Sequence, residues 1–290
     1  METRGRGLPA GWYPDDEREI VRMIDEWGGI PPEEERRGYS GVAPHAGWFF
    51  SGALAWKTIR SLAADAEAVA VIGGHLGVRD GIVAAQERAF MTPFGIVEAD
   101  TELLDRLTAM IGIGPDRAAD NTVEIQIPLV RYAFANARLL WLRCPPNGLA
   151  CELGSKLSAA AAALGRRAVV VGSTDLTHYG ASYGFQPAGT GREGLRWMRE
   201  TNDRRFLDAL LALDEREIIG RGVREHSACS AGGAAAACSF AKAEAVRAAG
   251  SEVGAREKAA PKGILLGYGT SHDLKPADDF VGYGSVLFSA

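Results

Sequence analysis

The sequence predicts an α/β class: a single-domain layered fold over residues 1–290, with a mostly parallel or mixed central sheet flanked by helices. Two observations predict it. Short apolar runs of strand length alternate along the chain with longer amphipathic or alanine-rich stretches of helix length. No linker-like shift in composition divides the chain, and 290 residues suffice to bury a substantial core in one unit.

Taken in order, apolar runs at residues 38–42, 68–72, 81–85, 139–142, 168–171 and 263–266 read as buried strands. Helical stretches are expected at 51–64, 100–110, 125–136, 151–164 and 193–213, with 214–217 as an extension of the last. A further alanine-rich helix follows Cys229 and runs towards Ala249. Residues 180–194, with five glycines and one proline, form the one long loop, with the makings of a lid.

Composition narrows the function. Apolar residues at 47% and charged residues at 24% match an ordinary globular protein. The net charge of −5 and the absence of any Lys/Arg block argue against nucleic acid and against an anionic membrane surface. No apolar segment follows the first residues as a secretory signal would require, and no run approaches a membrane span. Cys144, Cys151, Cys229 and Cys238 lack CxxC spacing, so they are expected as reduced thiols in a cytoplasmic protein.

The chemistry concentrates in four segments. Ala43-Pro44-His45-Ala46-Gly47 and Ile72-Gly73-Gly74-His75-Leu76-Gly77 each place a histidine in a small-residue turn just after a strand run. Open α/β sheets build their sites at such strand ends, so two of only five histidines there suggest a metal or substrate site. In Gly172-Ser173-Thr174-Asp175-Leu176-Thr177-His178 an acid and an imidazole follow a third strand, three residues apart. A carboxylate beside a histidine sets its tautomer, which suits general acid/base work or metal ligation. Ser173 is not a nucleophile elbow, because Gly-x-Ser-x-Gly is missing. In Glu225-His226-Ser227-Ala228-Cys229-Ser230-Ala231-Gly232-Gly233, Ser227 is the expected N-cap, with Cys229 in the first helical turn as a stabilised thiolate. Cys238 reads as a buried small hydrophobe, and Gly232 and Gly233 as points of close backbone packing.

In chain order these motifs resemble the Memo family, whose prokaryotic members are also called AmmeMemoRadiSam system protein B. The Leu8-Pro9-Ala10-Gly11-Trp12-Tyr13-Pro14 start, the Val123-Glu124-Ile125-Gln126-Ile127-Pro128 segment and the closing Phe280-Val281-Gly282-Tyr283-Gly284-Ser285 strand extend the likeness over nearly the whole chain. The resemblance implies a fold similar to class III extradiol dioxygenases. It also implies a metal site of His45, His75 and Cys229, with Asp175 and His178 beside it as catalytic groups. The chain departs from the family pattern at Asn121, where a histidine is usual, at Trp48 for tyrosine and at Ser230 for glycine.

Such a ligand set leads to an expected function. Fe(II) is the favoured metal, and a thiolate ligand makes copper competitive. The protein is then expected to be a metal-dependent, dioxygenase-like oxidoreductase acting on a small phenolic or heteroaromatic molecule, with O₂ as candidate co-substrate. A non-catalytic metal-binding or interaction protein is the alternative. Neither reading excludes a homo-oligomer.

Overall fold

In the computed structural model, which describes residues 2–250 and 260–289, all six apolar runs enter one nine-stranded sheet. The chain begins with β1 (Thr3–Arg4), α1 (Glu17–Glu26), β2 (Gly38–Ala43), α2 (Trp48–Ile59), β3 (Ala68–Gly73), β4 (Ile82–Ala84), β5 (Ala89–Thr92) and β6 (Gly95–Glu98). It continues through α3 (Thr101–Thr108), β7 (Ile113–Pro115), α4 (Asn121–Glu124), α5 (Ile127–Ala133), β8 (Arg138–Arg143), α6 (Gly148–Ala163), β9 (Ala168–Ser173) and β10 (His178–Tyr179). It closes with α7 (Gly191–Trp197), α8 (Asp203–Leu211), α9 (Glu215–Glu225), α10 (Ala231–Ala248), β11 (Lys262–Thr270) and β12 (Phe280–Ser289).

The sheet runs β10-β12-β2-β9-β3-β8-β4-β7, with β11 paired to β12. Its centre, β2-β9-β3-β8, is parallel, while β12 and β4 run antiparallel to their neighbours β2 and β8. The sheet is therefore mixed, and its two faces are both covered. Alternate strand residues Val42, Ala70, Ile72, Leu140 and Val170 pack under α3, α6, α8, α9 and α10. Their neighbours Ala43, Val69, Val71, Trp141 and Val171 pack under α1, α2 and α5. Burial on both sides explains why the central strands read as continuous apolar runs.

Register sets the working edge. Ala43 lies opposite Ser173 across β2 and β9, and Gly172 lies opposite Ile72 across β9 and β3. These three parallel strands thus end level, at Ala43, Gly73 and Ser173, and His45, His75 and Asp175 each follow two residues later. All three turns therefore lie along one edge of one sheet.

Several expected boundaries are corrected. Residues 214–217 do not extend the preceding helix. Leu213 adopts a left-handed conformation (φ 51°), and the Asp214 carboxylate then accepts the Glu217 N–H as the N-cap of α9. The stretch expected at 193–213 is α7 and α8 joined by one π-turn, Met198–Asn202. The expected loop 180–194 contains one 3₁₀ turn, Ala181–Tyr183, and ends where α7 begins at Gly191. The sequence reading did not mark α1 or the β5–β6 hairpin, which pairs with β1 in a separate three-stranded sheet. Among the described residues no helix is long and apolar enough to cross a membrane.

Candidate metal centre

His45 leaves β2 through Pro44 and is 1% exposed. Its backbone N–H donates to Asp175 Oδ1 at 2.7 Å, and Asn121 Nδ2 donates to its carbonyl at 3.1 Å. The ring Nδ1 faces Ser173 Oγ at 3.3 Å. Gln126 braces this turn by donating to the Pro44 carbonyl at 2.7 Å and to Ser173 Oγ at 3.0 Å. His45 Nε2 is thereby left to face Cys229 Sγ at 3.1 Å.

His75 sits in the left-handed region at φ 56°, uncommon for a residue with a Cβ and most frequent at functional turns. Its Nδ1 lies 3.0 Å from Asp120 Oδ2. Asp120 is the N-cap of α4, and its Oδ1 accepts the Thr122 N–H at 2.9 Å. Cys229 lies just before α10, not in its first turn. The N-cap is Ser230, because the chain runs as a turn through Cys229 and becomes helical only at Ala231. The Cys229 N–H donates to the Asp175 carbonyl at 3.3 Å, which ties the turn to the end of β9.

Ligand atoms of His45, His75 and Cys229 fall within 4.8 Å of one another. The two imidazole rings meet edge to face at 5.2 Å. Burial alone would raise the Cys229 thiol, but the charge on His45 and the nearby imidazoles of His178, His45 and His75 pull it well below the ordinary thiol value. That lowering comes from the imidazoles around the sulfur and not from the helix N-terminus that the sequence suggested. His75 is pushed up to about 10, first by its hydrogen bond to Asp120 and then by Cys229. Burial would raise Asp120, yet its bond to His75 holds it down at about 2. For His45, burial works to lower the value while Cys229 and Asp175 raise it, and the rise prevails.

Asp175 and His178 stand beside these three. Asp175 Oδ2 is 3.9 Å from His45 Nε2 and 3.8 Å from His178 Nε2, beyond direct hydrogen-bond distance. His178 starts β10, whose pairing with Val281 turns the chain away from a helical arrangement. Its Nε2 is buried and, among the described residues, has no hydrogen-bond partner. Burial would lower His178, but Asp175 and Cys229 raise it to about 10.

Two cavities meet here. One of about 490 Å³ is lined by His45, His75, Asp175 and His178 together with Trp12, Phe49, Phe50 and Tyr283. A smaller one of about 270 Å³ reaches Cys229 from the other side, past Phe185 and His226. His178 and Tyr183 border both.

The three departures from the family pattern separate. Asn121 lines the larger cavity. Ser230 Oγ lies 3.7 Å from Cys229 Sγ. Trp48 is 3% exposed, packs against Tyr13 and Trp27, and donates to the Ile125 carbonyl at 3.1 Å; it belongs to the core and not to the cavity over the imidazoles. The sequence reading did not single out Asp120, Ser173 as a histidine partner, or the aromatic residues Trp12, Phe49, Phe50 and Tyr183. An acid followed by Asn-Thr just before an apolar run is an N-cap signal that would have drawn attention to Asp120.

The chain is similar to known proteins over nearly its whole length. The family model described as Memo-like protein matches residues 7–287. A protein named MEMO1 family protein from Thermococcus kodakarensis is 30% identical, with 99% of each chain covered. One of the same name from Methanopyrus kandleri is 30% identical over 98% of each chain, and one from Thermococcus onnurineus 29% over 99% of each.

Proposed function

The chain belongs to the Memo-like family, and from that premise we propose that it is a metal-dependent oxidoreductase whose ion is held by His45, His75 and Cys229. The observation that carries this reading is the donor set itself. Two imidazoles and a cysteine sulfur converge, and each imidazole has its other nitrogen engaged, by Ser173 Oγ and by Asp120 Oδ2. A hydrogen bond to the remote nitrogen is how proteins orient a ligating histidine. Mixed N₂S donors suit Fe(II), with copper as the competing ion. When bound, such an ion supplies a Lewis-acidic, redox-active centre for an oxygen-bearing substrate and for O₂.

The remaining work falls to the chain. The larger cavity suits a small phenolic or heteroaromatic ring, because Trp12, Phe49, Phe50 and Tyr283 offer aromatic surface around the imidazoles. Asp175 is the hub: its carboxylate fixes the His45 backbone and sits between two imidazoles, while its carbonyl receives the Cys229 N–H. His178 presents an unpartnered Nε2 at the boundary of both cavities, where it can give a proton to a bound ring oxygen or take one from it. Asp175, 3.8 Å from that nitrogen, favours the charged form of the imidazole.

Metal analysis of protein purified without added metal tests the reading. Fe or Cu should be stoichiometric in the wild type and lost in His45→Ala, His75→Ala and Cys229→Ala, each with an unchanged circular dichroism spectrum. His178→Ala should keep the ion and lower substrate-coupled O₂ uptake by roughly 10²–10⁴-fold. Full metal content in all three ligand variants would refute the site. Metal without O₂ uptake on any phenolic tested would leave a binding protein.

A further inference from the structure

We infer that Arg143 is a positioning residue that holds His75 in ligating geometry; this rests on the metal-centre reading above. Arg143 ends β8 and is 7% exposed. Asp116 grips one side of its guanidinium, taking Nε and Nη2 at 2.8 Å each, and Trp141 Nε1 donates to the same carboxylate at 3.1 Å. That two-point clamp on a planar group leaves the third nitrogen, Nη1, with a fixed direction.

Nη1 points at His75 by two routes. It donates to the Gly74 carbonyl at 3.2 Å, the peptide group immediately before His75. It also lies 3.4 Å from Asp120 Oδ2, the same oxygen that faces His75 Nδ1. One nitrogen therefore restrains both the left-handed backbone of His75 and the carboxylate that orients its ring. His45 has no need of such a device. Its side chain is 1% exposed and is braced by Ser173, whereas that of His75 is 36% exposed. The more exposed donor, on the more strained backbone, is the one tied to a buried arginine. Lysine would keep the charge but cannot hold the two-point clamp and aim a third donor at once.

Anaerobic Fe(II) binding, measured by competition with a chelator, tests this on the wild type, Arg143→Lys, Asp120→Asn and the double variant. Each single change should weaken Fe(II) binding 10–100-fold, the usual consequence of losing an outer partner of a ligand. The double variant should lose little more than the weaker single, because both act on His75 through one connected set of contacts. Wild-type affinity in Arg143→Lys overturns the inference, and so do losses that multiply in the double variant. If Arg143→Lys does not fold, Asp116→Asn, which loosens the clamp while keeping the arginine, carries the same expectation, and unchanged affinity there overturns it. A wild type that takes up no Fe(II) would instead bring down the metal-centre reading, a distinct failure.

Discussion

On one face of the sheet α6 and α10 lie so close that small residues meet backbone, while on the other, under α1, α2 and α5, tryptophans from α2 and β8 fill the space. A Cβ on Gly154 would fall inside contact distance of the Ala236 carbonyl, and one on Gly233 inside that of Ile72. Ala234 to Ala237 are fully buried between them. The opposite face is filled by Trp48, Trp56 and Trp141 with Tyr13 and Phe134. The difference bears on the site. Cys229 hangs from the start of α10, whose distance from β3 is set by backbone touching backbone and leaves no slack. His45 leads into α2, which rests on large rings, and its place is set by hydrogen bonds from Asn121, to Asp175 and with Ser173.

The largest expected effect breaks the aromatic face. Trp56→Ala should cost about 3–5 kcal/mol in chemical denaturation, because a fully buried indole leaves a cavity. Metal content of the folded protein should stay stoichiometric, since Trp56 donates to Gly29 and packs on Tyr132, away from the ligands. Loss of the ion in this variant would show that the two faces do not divide the work as described.

The alanine face holds a buried carboxylate at the start of α8. Burial pushes Asp203 up to about 6, against hydrogen bonds from Thr177 and Tyr268. Its folded value lies above its unfolded one, so the unfolded chain ionises first as pH rises. Stability from this group should then fall between about pH 4 and pH 6, by roughly 3 kcal/mol, and level off above. Asp203→Asn should remove that slope. Urea midpoints that fall equally in both proteins across the window would refute it.

Gly233→Ala presses on the close-packed face directly and should cost about 1–3 kcal/mol. Unlike Trp56→Ala, it should also weaken metal binding, because the only relief is for the start of α10 to move away from β3. Equal affinity with reduced stability would mean that the thiol is placed by its own turn alone. The smallest effects are the helix caps. Asp16→Ala on α1 and Asp214→Ala on α9 should each cost about 1 kcal/mol, alike on both faces, because a cap is a local bond. A clear inequality in thermal midpoints would show that packing reaches the helix ends.

How much was legible follows from what each feature depends on. The strand runs could be read because strands buried on both faces must be apolar throughout, as in Ala68–Gly73. The hairpin β5–β6 could not, since Met91 and Ile96 pair across it on an exposed face and the short strands carry no alternation a reader could trust. The helix after Leu211 was read as continuous because nothing in the composition announces a left-handed leucine. The Ser227 cap failed for a similar reason: two equivalent serines stand three residues apart, and the N–H groups of Cys229 and Ser230 are tied to Asp175 and Thr174, so the helix begins after Ser230.

By itself the sequence determined which side chains could do chemistry and which end of the sheet would carry them, because a strand followed by a small-residue turn and a histidine is a local pattern. It determined the close approach at Gly232 and Gly233 for the same reason, since only a residue without a Cβ admits backbone there. Tertiary structure alone decided that β2, β9 and β3 end level, that a thiol over 150 residues away arrives at His45, and that Asp120 and Arg143 stand behind His75. Those are contacts between distant parts of the chain. Their geometry depends on strand register and layer spacing, which no local run of residues encodes.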